Sequence, residues 1–213
     1  MPKIKVPRKS THVDMTAMCD VAFLLLTFFI LTAKFTPPQI VNIAQPTSRA
    51  EKEVKDDLVT FMLDKDGKVY MTISKPEKRK AIVDKMIALK PEKYANIKLS
   101  AAEEKELSGL EVIGVPMSKL KATIGLESDK MIELKSAGQL SGIPSDSTNN
   151  ELADWVMAIR HVYVEEENLD KAPIAIRGDQ NTNIEDVRKL INTFRDNDVY
   201  SYNLITTLEG ARD

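Results

Sequence analysis

The sequence predicts an α+β protein: a single N-terminal transmembrane helix followed by a small α/β domain made of a β-hairpin, a helix and a βαβ unit. Three observations carry this. Met15 to Lys34 is an apolar run holding one acid, Asp20; Asp66-Gly67 separates the strand-like runs LVTFML and VYMTIS; and the C-terminal part alternates helix, strand, Gly-Asp turn, helix and strand. A net charge of −2 with 43% hydrophobic residues suits one modest globular domain plus an anchor. It gives no electrostatic footprint for nucleic acid.

The N-terminal tail, residues 1–14, is basic and too short to fold, and is expected on the anionic surface of the inner leaflet. From Met15 to Ala33 the only charge is Asp20. A helix of that length spans about 28 Å, against about 30 Å for the hydrocarbon core of a bilayer. Lys3, Lys5, Arg8 and Lys9 precede the span, which places the N-terminus in the cytoplasm and sends the C-terminal mass across. A cleaved secretory signal competes with this reading, because the run Val21 to Ala33 has signal-like length. Against it, Leu31-Thr32-Ala33 puts a large residue where a small one is needed, and an acid has no role there.

Asp20 is the informative residue, since an ionisable side chain inside a membrane helix costs several kcal/mol and marks transport or proton relay. At 100° per residue, Thr27 falls within about 20° of Asp20 and Thr16 about 40° away. One helix cannot enclose the resulting polar stripe, so a partner is expected to cover it. The alternative is an interfacial cap lying above the hydrocarbon. His12 reads as a solvated interfacial histidine, and Asp14, about 120° from Asp20, as a residue of the cytoplasmic entrance.

Pro37-Pro38 ends the helix, and residues 35–57 read as a linker, an unstructured tether whose extended segment Ile40 to Pro46 can pair with a partner strand or a dimer mate. The folded domain is expected over residues 58–209, followed by a short tail, 210–213. Leu58 to Ser74 is the hairpin, with Asp-Gly supplying the φ > 0 positions of its turn. Within residues 76–148, EKRKAIVDKMIAL has helical spacing at Ile82, Met86 and Leu89, IKLSA and LEVIGV are possible strands, and KSAGQLSGIPSDSTNN is turn-rich. Glu151 to Glu167 is a helix with Leu152, Trp155, Val156, Ile159 and Val162 or Tyr163 on its apolar face and Asn149 or Asn150 as cap. Strand Pro173 to Arg177, the Gly178-Asp179 turn, helix Ile184 to Arg195 with Ile184, Val187, Ile191 and Phe194 aligned, and strand Val199 to Thr207 complete the βαβ unit.

Catalytic and metal-binding candidates are missing. The one cysteine, Cys19, lies in the apolar run, the histidines number 2, and neither a Walker loop nor GxGxxG occurs. Asp179 reads as a turn former or helix cap and not as a catalytic acid. No enzyme activity, cofactor or metal is expected.

The run Val13-Asp14-Met15-Thr16-Ala17-Met18-Cys19-Asp20-Val21-Ala22-Phe23-Leu24-Leu25-Leu26-Thr27-Phe28-Phe29 resembles the membrane signature of the ExbD/TolR proteins, single-span subunits of proton-driven motors in bacterial inner membranes. Thr16 and Asp20 match that signature; Ala17 stands where proline is usual. The IAIRGD turn and NLITTLE finish resemble the end of the family's periplasmic domain, with Asn197-Asp198 where many members have glycine. Members are commonly shorter, so residues 76–148 look like an insertion.

The resemblance implies a proton-motive-force-driven subunit in which Asp20 carries protons, supported by Thr16 and Thr27. It also implies an ExbB/TolQ-like membrane partner, a TonB- or TolA-like transducer acting on outer-membrane transport or envelope maintenance, and a homodimeric periplasmic domain. The alternative from another class is a static membrane-anchored periplasmic scaffold or binding domain without proton traffic. It has no use for an acid on the face shared by Thr16 and Thr27.

Overall fold

The computed structural model describes residues 15–32, 39–44, 47–48, 57–146, 148–166, 169–205 and 207–208. The expectations for the tail with His12 and Asp14, for Lys34 and for the Pro37-Pro38 stop lie outside them. The chain divides into two compact units, Met1–Pro37 and Pro38–Asp213. The first contributes helix α1, Met15–Thr32. The second runs β1 (Thr47–Ser48), β2 (Val59–Leu63), β3 (Val69–Ile73), α2 (Pro76–Leu89), α3 (Pro91–Tyr94), α4 (Ala101–Leu107), α5 (Leu120–Thr123) and α6 (Ser128–Ser136). It continues with α7 (Glu151–Arg160), β4 (Ile174–Gly178), α8 (Ile184–Asp196), β5 (Asn203–Leu204) and β6 (Thr207–Leu208).

Strands order β3-β2-β4-β5 in a mixed sheet, with β2 antiparallel to β3 and parallel to β4, and β4 parallel to β5. The hairpin forms, although of the Asp66-Gly67 pair only Gly67 takes positive φ, +73°; Gly67 N–H donates to Asp64 O and Asp64 N–H to Lys68 O, each at 3.0 Å. Val59, Phe61 and Leu63 of the central strand are completely buried. Over them pack Ile82, Val83 and Met86 of α2, Trp155, Val156 and Ile159 of α7, and Leu190 and Phe194 of α8. Phe61 and Phe194 stack with ring centroids 5.0 Å apart. Asn150 caps α7, its Oδ1 accepting from Ala153 N–H at 3.0 Å. That helix then loosens into a π-turn over His161–Glu166.

Five expectations need correction. IKLSA forms no strand: Ser100 and Glu103 close a reciprocal capping box at the start of α4, and the segment ahead of it is irregular. LEVIGV supplies only a bridge, Ile113 pairing with Met71, and Ile143 pairs with Val69 in the same way. Together they cover the outer edge of β3, while Gly114 sits so close to the Tyr70 ring that a Cβ there would come within 2.4 Å of it. On α8 the buried face centres on Leu190, Thr193 and Phe194, and Ile184 is exposed.

The last strand is shorter than Val199 to Thr207: among the described residues Asn203 and Leu204 form β5 beside β4, Ile205 N–H donates to Ile176 O at 2.9 Å, and Thr207 lies in β6. Ahead of it Asp198 adopts φ 58°, the left-handed conformation that terminates α8, and Val199 N–H reaches back to Phe194 O at 2.9 Å. This explains how aspartate stands where glycine is usual: Asp is among the few L-residues that tolerate this region. The fifth correction concerns the linker. Ile40, Val41 and Ile43 are buried in the domain core, and Thr47–Ser48 pairs in parallel with Thr207–Leu208, so this part is a docked strap and not a free tether.

A buried carboxylate fastens α7 to the α2–α3 corner. Asp154, 3% exposed, accepts from Lys90 Nζ at 2.5 Å, Tyr94 Oη at 2.6 Å and Lys93 Nζ at 2.9 Å. Burial pushes its pKa up, but the bonds from Lys90, Tyr94 and Lys93 outweigh burial and hold the carboxyl below its ordinary value. Because the folded value lies below the unfolded one, the stabilisation is complete above about pH 4 and fades as pH falls through the folded pKa. Asp154→Asn should therefore cost about 2 kcal/mol at neutral pH, the lysines being partly solvated, with the difference shrinking in acid. Urea denaturation of the domain at neutral and acidic pH measures this; equal midpoints for both proteins at neutral pH would contradict it.

Candidate functional site

Helix α1 is favoured by its alanine, leucine and methionine residues and by the absence of an internal glycine or proline. Among the described residues it is the one helix long and apolar enough to cross a membrane. None of its residues is buried: Leu31 is 85% exposed, and the least exposed large apolar side chain, Leu25, still 53%. Among the described residues no side chain of α1 is buried, the pattern of a helix whose cover is lipid or other subunits.

Asp20 sits in this helix with its side chain exposed. The helical geometry brings Thr16 about 6 Å to one side along the axis and Thr27 about 10 Å to the other, all on one face. The Thr27 hydroxyl donates to the carbonyls of Phe23 and Leu24, each at 3.0 Å. Its proton is thus committed to the helix backbone, and its lone pairs are left to accept. Thr32 bonds back to Phe28 O in the same manner at 2.7 Å. A carboxylate that shares its face of an apolar cylinder with an acceptor has the chemistry to bind and release a proton. Among the described residues no three His, Cys, Asp or Glu side chains converge as metal ligands.

Asp179, at the carboxyl end of β4, is a clasp. Its Oδ1 accepts from Asn181 N–H at 2.9 Å and its Oδ2 from Ala44 N–H at 3.0 Å, while Gln180 N–H donates to Ala44 O at 2.7 Å. The Asn181 amide, with a further contribution from Ala44, holds the carboxyl below its ordinary pKa. The sequence reading had Asp179 as a turn former but missed its grip on the strap. The signal was present in Ile40-Val41-Asn42-Ile43, too rich in β-branched apolar residues for a solvated tether.

A family model described as biopolymer transport protein ExbD/TolR matches residues 7–209. The curated proteins and the solved structures give no match.

Removing the clasp should loosen the strap without unfolding the sheet. In Asp179→Ala, amide hydrogen exchange at Ala44 and Gln180 is expected to accelerate about tenfold or more, while amides of β2 keep their protection. Unchanged exchange at Ala44 would show that the buried side chains of Ile40, Val41 and Ile43 hold the strap by themselves.

Proposed function

This chain belongs to the ExbD/TolR family, and on that premise we propose that it is a proton-motive-force transducer of the inner membrane, with Asp20 as the proton carrier. The observation that carries this reading is the placement of one carboxylate on an apolar helix with no buried residue. A ring of ExbB/TolQ-like subunits would enclose α1 and offer Asp20 a protected path. Thr16 and Thr27 extend the polar stripe on either side of it. The basic tail keeps the N-terminus in the cytoplasm and the α/β domain in the periplasm, where it passes force to a TonB- or TolA-like protein. Each elementary charge crossing 100 mV supplies about 2.3 kcal/mol, so several protons per cycle drive a large conformational change.

We also propose that the domain is a homodimer. The outer edge of β3 is bridged by Ile113 and Ile143, whereas β5 ends the sheet with Leu204 64% exposed. An edge strand of that kind is where a second copy can add. If so, Leu204→Lys should shift the full-length protein in detergent from dimer to monomer in sedimentation; a wild-type protein that is already monomeric at high concentration would contradict the proposal.

Asp20→Asn tests the proton-carrier role. Asparagine keeps the size and hydrogen-bonding capacity of the carboxylate but cannot titrate, so energised outer-membrane uptake or envelope integrity should be lost while abundance and copurification with the ExbB/TolQ-like partner persist. Asp20→Glu should retain partial activity at most, and Thr27→Val should weaken function less than Asp20→Asn. A fully active, normally assembled Asp20→Asn protein would leave the static scaffold as the better reading.

A further inference from the structure

A cavity of the domain lies between α5, α6 and the loop after α6, lined by none of the strap residues. It has a volume of about 820 Å³, within the roughly 300 to 1,000 Å³ of small-molecule sites. Val115 and Leu140, both buried, and the half-buried Leu126 and Leu134 give it apolar walls. Two cations line it, Lys119 from the 3₁₀ turn ahead of α5 and Lys130 from the first turns of α6.

The lysines of these two elements divide by direction. Lys121 pairs with Glu103 at 3.3 Å and Lys135 with Asp64 at 3.1 Å, both away from the cleft. Lys119 and Lys130, which line the cleft, have no ion-pair partner among the described residues. Glu133, one turn beyond Lys130, also lines the cleft. The charge on offer is therefore a net single positive one, which suits a monoanion and penalises a dianion.

We propose that this cleft binds a small amphipathic monoanion of the medium-chain carboxylate class. Its carboxylate is held by Lys119 and Lys130, and its hydrocarbon lies along Leu126, Leu134 and Leu140. Charged hydrogen bonds fix the head, and burial of methylenes against the leucines supplies the remaining affinity. This site is independent of the proton-carrying role of Asp20.

The test is equilibrium dialysis of radiolabelled decanoate against the full chain in lipid nanodiscs, with empty nanodiscs subtracting partition into lipid. Saturable binding is expected, weakened about tenfold or more in the double variant Lys119→Met/Lys130→Met. Ala122→Trp, at an exposed wall position where the indole fills the cleft without entering the core, should abolish it. Decyltrimethylammonium, with the same chain and the opposite charge, should not compete. Equal binding by wild type and both variants, competition by the cation, no saturable binding, or saturation only by an acidic peptide would each overturn the proposal; thermal unfolding of the variants, with all substituted positions exposed, verifies that they fold.

Discussion

A carboxylate on a helix that buries none of its residues is the constraint on which the rest of the molecule depends. In water Asp20 would need no explanation, and in lipid it would be too costly to keep as a bare charge. Its place on α1 makes sense only when other subunits supply polar cover along the face it shares with Thr16 and Thr27. Under the proposed function that cover is a ring of ExbB/TolQ-like subunits, and the bilayer potential is the driving force for proton transfer. Thr27 fits this scheme as an acceptor, because its proton is already bound to the carbonyls of Phe23 and Leu24.

A transducer also needs a domain that does not yield when pulled. Here the sheet is closed on one side by irregular chain, with Ile113 and Ile143 bridging β3, and open on the other at β5. Buried polar groups tie the helices to it. Arg79 donates to Ile73 O at the end of β3 and to Ser108 O beyond α4, and Asp154 gathers Lys90, Lys93 and Tyr94. Such networks resist sliding of one element past another, since each bond lost leaves a desolvated group behind. The strap is held by three buried apolar side chains, the Asp179 clasp, the bond from Gln180 N–H to Ala44 O and the pairing of Thr47–Ser48 with Thr207–Leu208.

Much of this was legible in the sequence, and the misses have physical reasons. Hairpin, α7 and the β4–α8–β5 unit follow from local signals: Asp-Gly at the turn, Asn150 at the cap, apolar spacing at Trp155 and Ile159. Asp20 stands out because nothing else in its run is charged. The β-branched cluster Ile40, Val41 and Ile43 signals burial, but the partners that bury it are distant in sequence and no local pattern identifies them. LEVIGV has strand composition but meets β3 at a single bridge, with Gly114 against Tyr70 and Pro116 just beyond it. On α8, Ile184 fits the helical spacing yet lies in the first turn, beyond the reach of the sheet, and the leucine at position 190 takes the central place.

The central claim is that Asp20 changes protonation during work, and infrared difference spectroscopy reads this directly. The chain is reconstituted with the proposed ExbB/TolQ-like partner in liposomes, and a pH gradient is imposed and then dissipated. The account expects a carbonyl band of a protonated carboxyl that appears and disappears with the gradient, shifts on isotopic labelling of aspartate and is absent in Asp20→Asn. A working complex whose spectrum shows no such band, or in which the band survives Asp20→Asn, would contradict it.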